Sequence, residues 1–479
     1  MNAAQVRELL LNSFPYEPTA DQRELLDRLT TFLTVSWEHP EAVFILRGYA
    51  GTGKTTVVRS LVDVLPKLNR RTALMAPTGR AAKVLSSYTH RPANTIHRKI
   101  YFAWTGKEGR IELKLQQNKH KNTLFIIDEA SMIQHGTQEG QLFSGRDLLE
   151  DLFTYIRSGE NCRLLLLGDS AQLPPVGSLT SPALDLAYLK ATFHIRIETF
   201  ELREVVRQSL RSGALYNATL VRKQVTAEKM SFPFFDLSNH TDVVRLKGSD
   251  LEDELNTAFA SSRRENSVVI CRSNKRANLF NREIRKRVLY LDNEIAAGEY
   301  LMVVKNNYFW LPQESAAGFV ANGDIIELMR IRKIEELYGF RFADVTIRFI
   351  DYPEEKELDV MILLDTLRSE SAALPQPENN RLYQAVLEDY SELPSKRARI
   401  EKVKANPWFN ALQVKYAYAL TCHKTQGGQW DTVFVDQGYL SDKVLNVEYL
   451  RWLYTAVTRT TKRLYLVNFE DRFFTNPGA

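Results

Sequence analysis

Three short apolar runs in the first third of the chain each lead into glycine or acidic residues. They are VFIL at 43–46, TLFII at 123–127 and LLLL at 164–167. Runs of this length without alternation are typical of strands buried on both faces of a parallel sheet. Because ligands of such sheets bind at the carboxyl ends of the strands, the pattern predicts an α/β domain whose functional residues directly follow these runs.

The pattern changes between Gly298 and about Leu367. Short segments there alternate between apolar and polar residues and are interrupted by glycine, asparagine and proline. They are YLMVV, DIIELMRI, FRFADVTIRFI and LDVMILLDTL. This alternation indicates a small β-barrel rather than more α/β structure. Residues 368–410 then form a charged, largely helical excursion, for which a tower-like extension and a partner surface both stay open. The chain returns to the core sheet at YAYALT, residues 416–421.

A helical pattern occupies the basic segment that starts at Arg272. Its apolar residues recur at helical spacing at Ala277, Phe280, Ile284 and Val288, which predicts an amphipathic helix. The basic residues left largely off the buried stripe are Lys275, Arg276, Arg282 and Lys286. They form either a solvated face or a surface that binds a phosphate backbone.

The composition is that of an ordinary globular protein. A chain of 479 residues should hold roughly two to four domains. Lys and Arg number 63 against 58 Asp and Glu, and this net charge of +5 is too small to indicate a nucleic-acid partner by itself. The three cysteines lie far apart, which favours neither a disulfide framework nor a zinc site. The amino terminus is charged and apolar runs are short, so we expect a soluble cytoplasmic protein without a membrane partner, associated with the nucleoid if bacterial.

The first apolar run leads into GYAGTGKTT, residues 48–56, which fits the phosphate-loop pattern G-x-x-x-x-G-K-[ST]. Glycines let successive backbone N–H groups face an anion, and the following helix adds its positive end. Lys54 would reach the terminal phosphates and the Thr55 hydroxyl would ligate Mg²⁺, so the loop predicts binding of ATP with Mg²⁺. The residues predicted to bind the nucleotide here are Gly48, Gly51, Gly53, Lys54, Thr55 and Thr56.

The second and third apolar runs supply the groups that hydrolysis requires. TLFII is followed by Asp128 and Glu129, a Walker B pattern. Asp128 would hold Mg²⁺ through water, and Glu129 would orient and deprotonate the attacking water. LLLL leads into GDSAQLPPVG, where Gln172 precedes two prolines. Because prolines stiffen the turn, Gln172 is placed to sense the γ-phosphate.

Eight short motifs follow one another along the chain, namely GYAGTGKTT, APTGRAAKVL, NTIH, IIDEAS, GDSAQLPPVG, LREVVRQ, TCHKTQGGQWD and YTAVTRT. This set and its order are typical of superfamily 1B DNA helicases, and the resemblance spans roughly residues 15–468. The chain therefore resembles this family and is identified as a member of its RecD/Dda-like branch. The resemblance implies two RecA-like α/β domains with ATP in the cleft between them.

The same resemblance implies a division of the chain into domains. The implied boundaries are 1–200 for the first RecA-like domain, 98–122 for a β-hairpin inserted in it, 201–296 and 411–479 for the second RecA-like domain, and 297–410 for an SH3-like β insertion with the charged helical extension. The alternation of Ile111, Leu113 and Leu115 with polar residues supports the hairpin independently. It resembles the pin with which the family parts a duplex. Phe102 and Trp104 would either stack on the last base pair or pack the hairpin onto its domain.

Further nucleotide contacts are implied by the resemblance. Arg207 in LREVVRQ and Arg459 in YTAVTRT match the family's fourth and sixth motifs. They would bring positive charge to the γ-phosphate across the cleft. Gln22 matches the family's Q motif and would read the adenine edge, although a plain first-turn glutamine is the alternative. Phe14 or Tyr16 would stack on the base.

Loop residues of both domains are predicted to grip a single strand through its phosphates and sugars. Hydroxyls, backbone N–H groups and basic side chains of APTGRAAKVL, NTIH and TCHKTQGGQWD supply this grip. The residues are Thr78, Arg80, His97, Thr421, His423 and Lys424. His423 has a second interpretation as a histidine satisfied within the core.

Together these features predict an ATP-driven helicase that tracks single-stranded DNA and opens duplexes in replication, repair or recombination. The family branch alone implies 5′-to-3′ movement, and RNA as the tracked strand stays open. The alternatives are a translocase that remodels complexes on single strands, and a motor subunit of a recombination or exonuclease complex. We expect a functional monomer that binds single strands and their junctions with duplex, with single-strand-binding or recombination proteins as further partners. Only 20 residues follow Arg459, so we expect no nuclease domain there.

Overall fold

The computed structural model describes most of the chain. The described residues are 1–34, 42–105, 111–136, 147–206, 212–227, 231–260, 264–311, 315, 319–440 and 445–474. At 103–105 and 111–113 the description covers the backbone but not the side chains.

Six parallel strands form the sheet of the first domain. The strands of this part of the chain are β1 Ala42–Gly48, β2 Arg71–Ala76, β3 Ala93–Thr95, β4 Tyr101–Thr105, β5 Ile111–Leu115, β6 Thr123–Ile127, β7 Arg163–Gly168 and β8 Arg196–Leu202. The sheet order is β3-β2-β6-β7-β1-β8. The three apolar runs lie in β1, β6 and β7, and every residue of these runs is buried, so the predicted parallel α/β sheet is confirmed.

Helices cover both faces of this sheet. They are α1 Ala3–Asn12, α2 Ala20–Thr34, α3 Lys54–Val64, α4 Gly79–Thr89, α5 Ile96–Ile100, α6 Leu148–Arg157 and α7 Leu186–Phe193. Side chains of a strand point alternately to opposite faces. Phe44 and Leu46 of β1 accordingly pack with α1, α2 and α3, whereas Val43 and Ile45 pack with α5, α6 and α7.

The predicted hairpin is present as a two-stranded antiparallel sheet of β4 and β5. Its register runs from the pair Tyr101 and Leu115 to the pair Thr105 and Ile111. The strands therefore occupy a shorter stretch than residues 98–122, because α5 extends to Ile100 before the hairpin begins.

The rest of the chain forms a second parallel sheet and a closed barrel. The strands are β9 Val243–Leu246, β10 Ser267–Cys271, β11 Tyr300–Val303, β12 Ile325–Leu337, β13 Phe340–Phe349, β14 Leu358–Leu363, β15 Leu412–Tyr416, β16 Ala419–Thr421, β17 Trp430–Asp436 and β18 Thr460–Val467. The helices are α8 Gly213–Thr226, α9 Leu251–Phe259, α10 Asn274–Glu283, α11 Asp365–Arg368, α12 Gln376–Glu388, α13 Lys396–Lys404, α14 Cys422–Thr425 and α15 Val447–Val457. The second sheet has the order β16-β10-β17-β18-β9, and α15 packs against α8 on one face of it.

The barrel consists of β11 to β15, as the alternating pattern predicted for its first four strands. Its fifth strand, Leu412–Tyr416, lies in the segment expected to belong to the second RecA-like domain. This strand pairs antiparallel with β11 and parallel with β14, and so closes the barrel. We therefore propose that the second domain resumes after Tyr416 rather than at residue 411.

The excursion at 368–410 contains α12 and α13, which pack on one end of the barrel. Leu382, Val386 and Val403 of these helices form an apolar cluster with Phe340 and Phe342 of β13. The described helices are therefore part of the insertion rather than a separate body that projects from it.

The basic segment after Arg272 is helical, since α10 continues as a π-helical turn at Ile284–Val288. All four predicted apolar positions are buried. Arg276 is not a free basic residue, because its guanidinium makes a two-point ion pair with the buried carboxylate of Asp436 at 2.6 and 3.0 Å. Within the described residues no helix combines the length and the apolar character that a membrane span requires.

Candidate nucleotide site and strand-binding surface

The phosphate loop connects β1 to α3 and has the backbone of an anion-binding turn. Gly51 and Gly53 adopt φ of 76° and 87°, a region that favours glycine. Because α3 begins at Lys54, its unpaired N–H groups and positive dipole end face the loop. Lys54 Nζ donates to the carbonyl oxygens of Gly48 at 2.5 Å and Tyr49 at 3.0 Å. The ammonium group therefore already lies inside the loop.

Gln22 joins α2 to this loop. Its Nε2 donates to the carbonyl oxygen of Thr52 at 3.0 Å, and its Oε1 accepts from the backbone N–H of Thr19 at 3.0 Å. A Cβ at Gly53 would lie 2.4 Å from Nε2, so this approach also requires glycine there. These contacts give Gln22 an anchoring role in the loop, and reading of the adenine edge stays a prediction.

The remaining predicted nucleotide contacts lie around the same loop. Thr55 is exposed and Thr56 half-buried on the first turn of α3. Of the two aromatic candidates for stacking on a base, Tyr16 is exposed and Phe14 packs partly into the core. A threonine hydroxyl and the Asp128 carboxylate are the oxygen ligands that Mg²⁺ prefers, so the donor set fits the predicted cation.

The Walker B carboxylates follow β6 directly. Asp128 Oδ2 accepts a hydrogen bond from the Tyr88 hydroxyl of α4 at 2.6 Å, and Oδ1 accepts from the Glu129 N–H at 2.9 Å. Glu129 has a φ of 52°, an uncommon region for a residue with a side chain. Backbone conformations of this kind occur at functional sites, where they re-aim a side chain.

Arg459 reaches Glu129 from the second domain. Its Nη1 lies 4.0 Å from Glu129 Oε1, and the arginine is only 4% exposed. Hydrogen bonds from the guanidinium to the Thr455 and Gly428 carbonyl oxygens hold it in place. Burial raises the pKa of Glu129, Arg459 opposes this rise, and Asp128 adds to it. A raised pKa suits a carboxylate that takes a proton from water.

Tyr454 makes a second connection between the domains. Its hydroxyl donates to Asp169 Oδ2 at 2.7 Å and accepts from the backbone N–H of Ala50 in the phosphate loop at 2.8 Å. Burial, with the neighbouring Asp169 carboxylate, raises the pKa of Tyr454 well above its ordinary value. The hydroxyl therefore stays protonated and joins the end of β7, the phosphate loop and α15.

The loop after Asp169 is held by the second domain at two further points. The backbone N–H of Leu173 donates to Thr455 Oγ1 at 2.9 Å, and the Leu173 carbonyl accepts from Gln426 Nε2 at 2.7 Å. Gln172 lies between these anchors and Asp169, and its Oε1 is buried without a hydrogen-bond partner among the described residues. The predicted sensor is thus held on both sides, with one acceptor unused.

Arg207 lies outside the described residues. The residue before it, Val206, donates its backbone N–H to the Gly51 carbonyl at 2.9 Å. The two preceding backbone N–H groups, of Arg203 and Glu204, donate to Asp21 of α2. The described part of LREVV therefore runs along the phosphate loop.

The predicted strand contacts on α4 lie against the second domain. Thr78 caps α4 by accepting from the Ala81 N–H. The Arg80 guanidinium stacks on the Trp430 ring at 4.1 Å from its centroid and donates to the Gln429 carbonyl at 3.3 Å. A Cβ at Gly427 would lie 2.6 Å from Ala81 Cβ. The TQGGQW segment and α4 are thus in close contact.

Two other predicted strand contacts touch the barrel. The ring of His97 packs edge-on against Phe319 at 6.3 Å, and burial lowers the pKa of His97 to about 4. Lys424 Nζ donates to Asn322 Oδ1 at 2.6 Å, and burial lowers the pKa of Lys424 to about 8. Thr421 and His423 lie half-buried beside Lys424.

The amino end of α4 also meets the barrel. A Cβ at Gly79 would lie 2.6 Å from the Tyr352 hydroxyl and 2.9 Å from Asp324 Oδ1. Lys83 lies 3.4 Å from Asp351 and donates to the Ile350 carbonyl. The barrel therefore covers the helix end at which a strand phosphate is expected.

The hairpin leaves one of its predicted aromatics accessible. Phe102 is 42% exposed and pairs across the hairpin with Lys114. The side chain of Trp104 lies outside the described residues, so its placement stays a prediction.

Comparison with known proteins adds family assignments for both RecA-like domains. The family described as AAA domain matches residues 19–232, and the family described as UvrD-like helicase C-terminal domain matches residues 416–467. Two similar proteins are themselves named as helicases. The RecD2 DNA helicase of Deinococcus radiodurans is 33% identical over 36% of this chain and 21% of its own length. The Dda helicase of Enterobacteria phage T4 is 25% identical over 54% of this chain and 55% of its own length.

The two family matches and the named relatives support an ATP-dependent DNA helicase of the RecD and Dda type. The uncharacterized protein R530 of Acanthamoeba polyphaga mimivirus is similar over a longer range, with 24% identity over 89% of this chain and 95% of its own length. This helicase therefore spans nearly the whole of one relative and about a fifth to a half of the two relatives named for their activity.

Sequence reasoning missed three residues of the helicase's cleft. Tyr88 holds Asp128, while Asp169 and Tyr454 hold each other across the two domains. Asp169 lies in the motif GDSAQLPPVG and Tyr454 in YTAVTRT. Membership of these motifs was the only sign in the sequence that the two residues have a role at the site. Their pairing joins residues 285 positions apart in the chain, so local spacing does not reveal it.

Proposed function

We propose that this helicase moves 5′ to 3′ along single-stranded DNA and opens duplexes as it hydrolyses ATP. The observation that carries the proposal is the approach of Arg459 to Glu129 at 4.0 Å. It links the second domain to the carboxylate that would activate water, so that closure of the cleft and hydrolysis depend on each other. The names of the RecD2 and Dda relatives support DNA as the polymer.

The residues of the chain divide the work of hydrolysis between them. Lys54 would bind the terminal phosphates, Glu129 would accept a proton from the attacking water, and Gln172 would orient that water. Arg459 and Arg207 would stabilise the charge that develops on the phosphoryl group. Thr55 and Asp128 would hold Mg²⁺, which neutralises phosphate charge when bound. These roles follow from the predicted motifs, and the contacts of Lys54 with the loop and of Arg459 with Glu129 support two of them.

The loop at 169–173 is the structural element that would connect nucleotide state to domain position. It carries Gln172 at the site, and its Asp169 and Leu173 bind Tyr454 and Thr455 of α15. A shift of Gln172 when the γ-phosphate leaves would therefore pull on α15. Coupling of this kind requires an element whose position both sites bias.

Strand binding would use the surface where α4, α14 and the barrel meet. Thr78, His97 and Lys424 gather there, although they come from three separate motifs. Backbone N–H groups at the start of α4 suit a phosphate. Because the barrel covers this helix end, we propose that it shifts when a strand enters.

A translocase that remodels complexes without opening duplexes is the second candidate function. The exposed Phe102 on the hairpin favours duplex opening, because an accessible aromatic can stack on a terminal base pair. Action as a monomer, and partners such as single-strand-binding or recombination proteins, are part of the same proposal.

An unwinding assay tests polarity and function together. Duplexes with either a 5′ or a 3′ single-stranded tail are incubated with the protein, with and without ATP. We expect opening of the 5′-tailed duplex only, and only with ATP. Lys54→Ala should abolish ATP hydrolysis and opening while single-strand binding persists. Opening of the 3′-tailed duplex alone would reverse the polarity, and hydrolysis without opening of either duplex would favour the translocase.

A further inference from the structure

A cavity of about 330 Å³ lies behind the loop that carries Gln172. Its lining includes Arg47 of β1, Ser131, Gln172, Ser181 and Arg451 of α15. Arg47 follows Val43 and Ile45 at intervals of two along β1, so it points to the face covered by α6 and α7. The cavity therefore lies on the face of the sheet opposite to α3.

Four hydrogen-bond donors at this cavity are buried without partners among the described residues. They are Arg47 Nε, Ser131 Oγ, Ser181 Oγ and Arg451 Nε. Ser131 is only 2% exposed. No hydrogen bond or ion pair engages the Arg47 guanidinium within the described part of the chain. An unpaired, half-buried cation is costly, because burial removes hydration that only an opposite charge or hydrogen bonds replace.

The two carboxylates at the cavity do not neutralise these donors. Asp169 accepts hydrogen bonds from the Tyr454 hydroxyl and the Ala171 N–H. Asp185 caps α7 by accepting from the N–H groups of Ala187 and Tyr188. Two guanidinium groups and two hydroxyls around one cavity are the donor set that suits a phosphate oxyanion.

We propose that this cavity binds a phosphate group, and that its source is the inorganic phosphate released by hydrolysis or a phosphate of the bound strand. The inference rests on the proposed ATPase function. Gln172 lines the cavity, and Ser131 is two residues from Glu129, so the cavity adjoins the hydrolysis site. A phosphate that passes behind Gln172 would leave on the α7 side without reopening the cleft.

The test uses the full-length protein and the variant Arg47→Gln. ATP cleavage is followed by acid quench, phosphate release by a fluorescent phosphate sensor, and product inhibition by added inorganic phosphate. Loss of one charge-assisted hydrogen bond should raise the inhibition constant of phosphate roughly tenfold. The KM for ATP should stay unchanged, because Lys54 and Thr55 are the residues predicted to bind the substrate. Arg47→Lys should retain most of the phosphate affinity.

A second measurement separates the two sources of phosphate. If the inhibition constant stays unchanged while the salt dependence of single-strand affinity loses about one ion, the cavity takes a strand phosphate. If neither quantity changes, the proposal is overturned. Arg196→Gln, which removes an exposed charge from the start of β8, is the matched control and should change neither.

Two further checks keep the outcome decisive. Ser181→Ala should raise the inhibition constant of phosphate about threefold, because one neutral hydrogen bond is lost. If thermal unfolding shows that Arg47→Gln does not fold, this second variant tests whether the cavity binds phosphate. Wild-type protein that cleaves no ATP with a single strand present would contradict the proposed function. Normal cleavage with unchanged phosphate and strand binding in the variants would overturn only the cavity.

Discussion

Arg459 of the second domain and Glu129 of the first lie 4.0 Å apart across the cleft. The two residues come from motifs far apart in the chain. Arg459 donates to the Thr455 carbonyl, and the backbone N–H of Glu129 donates to Asp128 Oδ1. The pair places a cation beside the carboxylate that would activate water. Separation of the two domains would therefore move Arg459 away from Glu129 and change the rate of hydrolysis.

Arg459→Ala should lower the kcat of ATP hydrolysis by about 10³-fold, because an arginine at the transferred phosphoryl group contributes roughly this much. Steady-state hydrolysis with saturating single strand measures it. Arg459→Lys keeps the charge but loses the planar fork and should recover only part of the rate. A kcat within threefold of wild type would exclude a role in the transition state.

The pH dependence of a further variant, Arg459→Gln, gives an independent readout. Arg459 lowers the pKa of Glu129 against the effect of burial. Without the arginine this pKa should rise further, so Glu129 would remain protonated to a higher pH. The acid limb of the pH–rate profile of Arg459→Gln should therefore move to higher pH. An unmoved limb would mean that Glu129 is not the group whose ionisation limits the rate.

Tyr454→Phe should weaken the connection between the phosphate loop and α15. The change leaves Asp169 Oδ2 and the Ala50 N–H without their partner, and such loss costs about 1–3 kcal/mol in the free energy of unfolding. Denaturant unfolding measures it. Tyr216→Phe removes a hydroxyl that makes no hydrogen bond among the described residues, and it should change stability by less than about 0.5 kcal/mol.

The same Tyr454 variant should also hydrolyse ATP with less dependence on the strand. If the loop at 169–173 couples the domains, its release from Tyr454 should reduce the stimulation of hydrolysis by single-stranded DNA. Equal stimulation in variant and wild type would show that the contact only stabilises the fold.

Phe102→Ala should slow duplex opening roughly tenfold and leave hydrolysis on single strands unchanged, since stacking of a base on an aromatic ring contributes about 1–3 kcal/mol. Unwinding of a 5′-tailed duplex measures the effect. Tyr439→Ala removes an exposed aromatic of the second domain and is the control. Unimpaired opening by Phe102→Ala would mean that this ring is not the wedge.

Asp324 makes stability depend on pH at the contact between the barrel and α4. Burial raises the pKa of Asp324 to about 8, the Ala321 N–H opposes this rise, and Asp351 adds to it. Between about pH 4 and 8 the unfolded chain would release this proton while the folded protein keeps it. Stability should therefore fall as pH rises through this window, by at most about 1.4 kcal/mol per pH unit, and level off above pH 8.

Asp324→Asn should remove this decline, because the amide carries no charge at any of these pH values. Thermal unfolding between pH 5 and 9 measures it, and the exposed Asp292→Asn is the control. Parallel stability curves for wild type and Asp324→Asn would show that Asp324 does not titrate in this range. Three other titratable groups lie at the same contact, namely Tyr352, Asp351 and Lys83. Variants of these residues measure their own contributions to the pH dependence of stability.

The elements of the fold that depend on local pattern could be predicted. β1, β6 and β7 were evident as apolar runs because burial on both faces leaves the middle of each strand apolar. The hairpin and four barrel strands were evident from alternation. β15 lies after the expected boundary at residue 411. Because it closes the barrel with β11 and β14, we propose that it belongs to the insertion, which no local pattern indicates.

The chemistry of the site is a property of the sequence, since Lys54, Asp128, Glu129 and Gln172 each follow a strand or turn whose pattern places them at one sheet edge. The tertiary structure alone decided which of these groups meet the second domain. Tyr454 with Asp169, Arg80 with Trp430, and the barrel over α4 join segments far apart in the chain. Hydrophobic periodicity reports how a residue relates to its neighbours in the chain. Contacts between distant segments depend instead on how whole domains pack, which no local pattern records.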